Sequence, residues 1–404
     1  MKCCRLSAKK ALKNVNIICR IFNGSITRSA KFSVTGPFLH IIAFNVPDPP
    51  DYGGVIDIFY KLKALHAAGV RTILHCFTYG RQPSKELGDL CFRVYYYPRQ
   101  SGWRHLLTRT PYIVATRNAN NMPNNILRDS FPVLFEGLHT TAVLEACKSA
   151  GKRTLVRAHN IEHSYYRALA RAERAPFEKL FLRWESSKLK HYEAILTKTD
   201  HILAISRPET EYFKEKYGNA HFIPAFHPSD EVSIAAGTGE YVLIHGNLGV
   251  AENEWIIRNF ALPGLEGSSC TVVVAGKNPS ASLRRRLGKM EQIRLVPDPS
   301  DEEMMALVRN AQVNLLLTGQ STGIKLKLLH SLYAGRHCVV NRPMVEGTGL
   351  EQLCSVIDTA GEIAPLLDRL MTLPVGGGEV ARRKKALQDY SNRAGAEKIL
   401  RLIS

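Results

Sequence analysis

Residues 313–340 place chemistry-bearing side chains at telling intervals. An apolar run from Val313 to Thr318 is followed by a polar turn, a helix-patterned stretch and a second apolar run at 337–340. Ser321 and Thr322 suit an N-cap, Ile324, Leu328 and Leu332 fall on one apolar face, and Gly335 suits the helix stop. A helix that starts at the carboxyl end of a parallel strand aims unpaired N–H groups and the positive end of its dipole into the crevice where α/β proteins hold phosphates. Lys325 and Lys327 add whole charges there, and Lys327 and His330, three apart, share a face. The chemistry expected is capture of a phosphate-bearing anion by Thr322, Gly323, Lys325, Lys327 and His330.

Similar positions recur along the chain. Gly53 and Gly54 follow the first apolar strand, where the absence of a Cβ lets backbone approach a ligand. Glu136, His139 and His159 stand just beyond the apolar runs 131–136 and 153–158, and so at one crevice edge. An imidazole can donate to a hydroxyl or steady developing charge, which makes His159 the first catalytic candidate; Glu136 or His139 could take a proton from an acceptor hydroxyl. In the second half, Gly246 and Asn247 end the run 241–245 and Lys277 ends 271–275, while Val345 to Leu350 suits a further phosphate or sugar loop. Arg99, Trp103, Arg104 and Arg109 interleave cations with an amphipathic aromatic, a mixture suited to an acceptor polyanion or anionic headgroups. Phe177, Phe181 and Trp184 read as a core-facing helix stripe.

Positioning these residues takes two α/β units. Strand and helix patterns alternate from Phe38 to about 225 and again from about 240 to 378, which predicts two doubly wound parallel sheets. A Pro/Ser/Gly-containing segment, 224–240, joins them, and a helix is expected over 379–402. Residues 1–37 lack apolar periodicity and read as a basic extension outside the core. The chain of 404 residues is long enough for two such cores. Its net charge is +18, of which eight positive charges precede residue 38 without an acid, so the remainder keeps +10 and suits anionic partners. The nine cysteines form no C-x-x-C pair, which favours free thiols of a reducing compartment over disulfides or zinc.

The 321–350 stretch resembles the donor-binding helix of GT-B glycosyltransferases of family 4, whose pattern runs roughly G-x-x-x-K-x-x-E-A-x-A-x-G-x-P-V-V. Gly323, Lys327, Ala334-Gly335 and Val339-Val340 fit it. The family's ribose-holding glutamate falls at His330 and its partner carboxylate at Thr322, so both acids are missing. The resemblance implies a GT-B fold of two Rossmann-like domains facing a cleft, with the last helix crossing back to the first domain. It further implies a retaining, metal-independent sugar transfer without cofactor, from a nucleotide-sugar donor to a glycan or lipid-linked acceptor of the cell envelope. Asn247 stands where the family has an arginine, leaving Lys325 and Lys327 to neutralise the diphosphate. The implied place is cytoplasmic, peripheral on the inner membrane, with an anionic membrane surface but no nucleic acid among the partners. A GT-B sugar-nucleotide epimerase and a non-catalytic sugar- or lipid-binding relative share the architecture.

Overall fold

A computed structural model describes residues 36–173, 175–319 and 325–404. The expectations for residues 1–35, and for Thr322 and Gly323, lie outside the described residues.

The first sheet has seven parallel strands: β1 (Phe38–Ala43), β2 (Arg71–Thr78), β3 (Arg93–Pro98), β4 (Val133–Glu136), β5 (Thr154–Ala158), β6 (His201–Ala204) and β7 (Ala220–Phe222), in the order β3-β2-β1-β4-β5-β6-β7. The second has six: β8 (Val242–His245), β9 (Val272–Gly276), β10 (Ile293–Pro297), β11 (Val313–Leu316), β12 (His337–Asn341) and β13 (Ser355–Ile357), in the order β10-β9-β8-β11-β12-β13. Their central strands are buried almost throughout, because helices cover both faces of a parallel sheet; that is why they read as predominantly apolar runs without a period of two. Strand order reverses between β1 and β4 and again between β8 and β11. Ligand crevices of doubly wound sheets open at the carboxyl ends of such strand pairs. The short strands β7 and β13 were not expected from the sequence; at three residues each they are too brief to show a period.

Among the helices, α1 (Gly53–Ala67) follows β1, and α2 (Glu162–Ala172) and α3 (Pro176–Tyr192) form a packed pair after β5. Helix α4 (Arg207–Tyr217) follows β6, α5 (Ala251–Ile256) follows β8, α6 (Asp301–Asn310) precedes β11 and α7 (Leu326–Ala334) precedes β12. Two expectations change here. The sequence pattern over 163–198 reads as one long helical region, but the structure breaks it before Pro176, a residue at home in the first turn of a helix but not in its interior. Within α3, the inward residues are Glu185, Ser186, Lys188 and Leu189, whereas Phe177, Leu180 and Trp184 face outward. Of the expected stripe Phe177, Phe181 and Trp184, the first and last are thus exposed, while Phe181 is half-buried with its ring centroid 6.3 Å from that of Tyr112; the stripe is not core-facing.

The tail is also two helices. Helix α8 (Gly377–Ala386) gives way to a short turn in which Leu387 and Tyr390 pack against the second sheet's helices. Ser391 then accepts from the Ala394 N–H and caps α9 (Asn392–Ile403). Ala396, Ile399 and Ile403 lie in the core with Ile58, Leu62 and Leu65 of α1, so the chain ends on its first half. The segment after β7 is tied down as well, with Ala225, Phe226 and His227 buried. Cys76, Cys91, Cys147 and Cys338 are buried free thiols. Because Ile399 is fully buried, Ile399→Ala is expected to lower stability by about 2–5 kcal/mol in a denaturant melt. A loss near zero would show that α9 does not dock on α1.

Candidate active site

In the first half the site is built on charges the core would normally reject. Asp57 and Lys61, one turn apart on α1, point inward with Val55, Ile58 and Leu62. Asp57 takes a fork from Arg157 of β5, with Nε at 3.1 Å from Oδ2 and Nη2 at 2.8 Å from Oδ1. Lys61 Nζ donates to Asp57 Oδ2 at 2.9 Å and to Glu136 Oε1 at 2.6 Å. The other Glu136 oxygen lies 3.2 Å from His159 Nε2. Asp57 also accepts the Phe226 N–H at 2.8 Å, and Arg157 donates to the carbonyls of Ile223 and Pro224. Burial alone would push the Asp57 carboxyl up, but Arg157 and then Lys61 outweigh it and hold it well below the usual carboxylate range. For Glu136 burial is likewise outweighed, by Lys61 and then His159, and its pKa falls.

This arrangement revises one expectation and locates two others. Glu136 is fully buried, so it cannot reach an acceptor hydroxyl; it is spent on orienting His159 and neutralising Lys61. His159 is the partly exposed member of the cluster. Its Nε2 is committed to Glu136, while Nδ1, 4.0 Å from Asp57 Oδ2, is beyond hydrogen-bond range of that carboxylate. His139 stands beside Phe44, their ring centroids 5.3 Å apart, and burial, then Arg117, lowers its pKa well below the ordinary value. Its Nδ1 has no hydrogen-bond partner among the described residues. Arg117 in turn donates to the Phe44 carbonyl at 2.9 Å. A Cβ on Gly54 would stand 2.7 Å from Phe44 Cζ, so the first turn of α1 needs glycine to seat that ring. Ligand atoms of Asp57, Glu136 and His159 lie within 4.8 Å of one another, but Lys61 and Arg157 already serve as their counter-cations.

In the second half, α7 starts opposite the start of α1: a Cβ on Gly53 would lie 3.9 Å from Leu326 Cδ1. Lys327 Nζ donates to the Leu317 carbonyl at 2.8 Å, just past β11, and burial, then Lys325, pushes its ammonium down to about 8. Lys325 is lowered by burial and partly restored by Glu252 and Glu209. Glu252 on α5 accepts from Thr318 Oγ1 at 3.0 Å and the Gly319 N–H at 2.9 Å, placing a carboxylate beside the two lysines. His330 turns to α6, its Nε2 3.0 Å from Met305 Sδ, and burial takes its pKa to about 4. Asn247 uses its side chain to close its own turn, with Oδ1 accepting from Gly249 N at 3.1 Å. Gly246 directly follows β8, and Lys277 is exposed after β9.

Between the halves lies a cavity of about 180 Å³ lined in part by Asn160, Ser164, Tyr165, Glu209, Gly347 and Thr348. The loop from Glu346 is seated on α4: Gly347 has φ 72°, and a Cβ there would stand 2.4 Å from Pro208 Cγ. Glu209 lines this cavity, and the buried Glu162 lies close enough to feel its charge. Burial, then Glu209 and Glu193, pushes Glu162 up to about 8; burial pushes Glu209 up to about 7, against the pull of its Ser206 hydrogen bond, Arg157 and Lys325. Arg99 is half-buried over Tyr79 and donates to Thr116 Oγ1, whereas Trp103, Arg104 and Arg109 are exposed on a neighbouring loop.

Asp57, Lys61, Arg157, Glu162, Glu209 and Glu252 were not singled out in the sequence. Charged residues on the inward side of an apolar stretch were the available signal for Asp57, Lys61 and Arg157. The acids gave no comparable sign, because nothing local marks which of them a distant element will bury.

No family model matches the chain. A curated relative, an uncharacterized 44.6 kDa protein in the cps region of Klebsiella pneumoniae, is 28% identical over 332 residues, 76% of this chain and 84% of its own length. Among solved structures, TarM superposes with a TM-score of 0.61 at 11% identity, covering 92% of this chain and 99% of its own. UGT89C1 of Arabidopsis thaliana, complexed with UDP, gives 0.55 at 13% identity over 91% and 100%. The glycotransferase of kitacinnamycin gives 0.54 at 13% over 92% and 100%. The chain has the GT-B fold. Its two Rossmann-like sheets and the cleft between β1/β4 and β8/β11 are the GT-B plan.

Two measurements probe this GT-B cleft. Lys61→Met leaves Asp57 and Glu136 short of a counter-ion, and is expected to cost about 3–5 kcal/mol in a denaturant melt. In the second, Glu162 and Glu209 hold protons in the native state that the unfolded chain has already released. Stability should therefore fall as pH rises from the ordinary carboxylate range to about 8. Glu162→Gln, which cannot ionise, should gain on the wild type at pH 8 by about 1–4 kcal/mol and show no such gain at pH 5. Parallel pH dependence of the two proteins would mean that Glu162 titrates normally.

Proposed function

We propose that the protein is a glycosyltransferase that moves a sugar from a nucleotide-sugar donor to a glycan or lipid-linked acceptor in envelope polysaccharide synthesis. The observation that carries this reading is the meeting of two unlike surfaces across a GT-B cleft. On one side the start of α7 brings Lys325 and Lys327 to the end of β11; on the other, Gly53 at the start of α1 faces Leu326 of α7, and His159 stands just past β5, held by Glu136. Neighbours of the same fold were solved with UDP and with UDP-L-rhamnose, and the relative from the cps region points to a capsule locus.

The chemistry follows from charge. As the bond from the sugar to the diphosphate breaks, negative charge grows on the departing phosphate. Preorganised ammonium groups stabilise that charge without reorganising. In this reading Lys325 and Lys327 take that role. His159, oriented by Glu136, offers Nδ1 to a sugar or acceptor hydroxyl. Both nearby carboxylates, Asp57 and Glu136, are buried and paired with cations, which disfavours a covalent sugar intermediate on either and suits a retaining transfer without a protein nucleophile. Metal-independence belongs to the same proposal, since the lysines supply the positive charge.

Purified protein incubated with a panel of nucleotide sugars is expected to release free sugar slowly without acceptor. An isomerised nucleotide sugar would point instead to an epimerase, and donors left intact to a binding protein. Lys327→Ala should weaken nucleoside diphosphate binding by about 1–3 kcal/mol, read by calorimetry. Bound diphosphate favours the charged ammonium, and the free Lys327 pKa is about 8. Binding should therefore take up a proton above that pH and weaken as pH rises further. Affinity that is flat between pH 7 and 9.5 would remove Lys327 from the donor site.

A further inference from the structure

Of ten exposed large apolar side chains among the described residues, five gather on one surface. Trp103 is 66% exposed and Leu107 72%; Phe177 is 87% exposed, Leu180 67% and Trp184 44%. Phe177, Leu180 and Trp184 sit at helical spacing on the outer face of α3, whose inner face is occupied by Glu185, Ser186 and Leu189. The 103–110 loop is fastened beside them. Lys188 Nζ stands 4.2 Å from the Trp184 ring centroid and donates to the carbonyls of Leu106, Thr108 and Thr110. Glu185 Oε2 accepts the Tyr112 N–H at 2.7 Å. The apolar surface is thus continuous from the loop onto the helix and rests on buried polar anchors that hold its shape.

Its charges carry one dominant sign. Arg104 and Arg109 stand on the loop with no acid between residues 101 and 112, and Arg183 and Lys190 are exposed on α3 against a single exposed acid, Glu178. On α2, Arg167 and Arg171 are exposed as well. Apolar anchors of this size ringed by cations, with tryptophans among them, match the boundary between acyl chains and anionic headgroups. No helix among the described residues is long and apolar enough to cross a membrane, so contact of this kind would be with one leaflet.

We propose that α3 and the 103–110 loop form a docking surface for an anionic lipid bilayer, into which Phe177, Leu180, Trp184, Trp103 and Leu107 insert while the arginines meet the headgroups. The surface belongs to the α2/α3 pair, and α2 contributes Ser164 and Tyr165 to the cavity between the halves. Docking would therefore hold the cleft beside the leaflet from which a lipid-linked molecule could enter. Vesicle binding is read without donor or transfer, so this inference and the proposed reaction stand or fall separately.

The test uses the full chain with vesicles of phosphatidylglycerol and phosphatidylcholine, against vesicles of phosphatidylcholine alone. Flotation with the anionic vesicles, weakened by high salt, is expected. Trp103 and Trp184 should shift their emission to shorter wavelength on binding. The third tryptophan, Trp255, is 60% exposed on α5 of the other half. The conservative variant Trp103→Phe/Trp184→Phe, which keeps only Trp255, should lose the shift. Phe177→Ser/Leu180→Ser/Trp184→Ser should bind at least tenfold more weakly, with its melting temperature unchanged because these side chains are exposed. The proposal is overturned if the wild type does not float, if the triple variant floats equally well, or if the shift survives in the double variant. It is equally overturned if sedimentation without lipid shows a dimer that the triple variant dissolves, since the face would then belong to a second copy.

Discussion

The first half of the molecule depends on keeping four charges out of water. Asp57, Lys61, Glu136 and Arg157 are buried together, and a charge in such a place is tolerated only when paired and hydrogen-bonded. Each partner comes from a different piece of chain: α1 gives Asp57 and Lys61, β4 gives Glu136, β5 gives Arg157, and the segment after β7 gives the Ile223 and Pro224 carbonyls and the Phe226 N–H. A shift of any one would leave an uncompensated charge. The cluster therefore sets the angle of α1, the carboxyl end of the sheet and the start of the crossing to the second half in one constraint. His159 inherits its position from Glu136, and so from the whole cluster.

The facing half is arranged on the opposite principle. Its charge is half-buried at the crevice and only partly balanced. Lys325 and Lys327 crowd each other near the start of α7, with Glu252 offsetting both and Glu209 offsetting Lys325. His245 and His330, on either side, are kept uncharged at neutral pH by burial, with pKa values of about 3 and about 4. The positive charge available to a ligand thus comes from the lysines. A neutral, rigid wall faces a cationic one across the cleft, and the return of α9 to α1 ties the ends of the two halves together.

Much of this was legible in the residues. The run Val272–Gly276 announces a buried parallel strand because nothing polar interrupts it, Val313–Leu317 does so with Asn314 as its one polar residue, and Lys327 stands out by its offset from the helix start. The histidine after β5 was equally visible. The role of Glu136 was not: it follows an apolar strand just as a cleft residue would, and only Lys61, 75 positions away, turns it inward. His330 shows the same limit, since Met305 on another helix claims its ring.

By itself the sequence determined the element order, the alternation that yields two parallel sheets, and the chemical types gathered at their carboxyl ends. Those properties are local: they follow from periodicity, turn residues and strand composition. The tertiary structure alone decided which side of each element is covered. The spacing of Phe177, Leu180 and Trp184 shows that they share a face, but a period has no sign, and here that face looks to solvent. In the same way Asp57 and Lys61, four apart, look like an ordinary surface pair until β4 and β5 close over them. Burial is a relation between distant segments, and it converts those two from solvated charges into the hub on which the site is built.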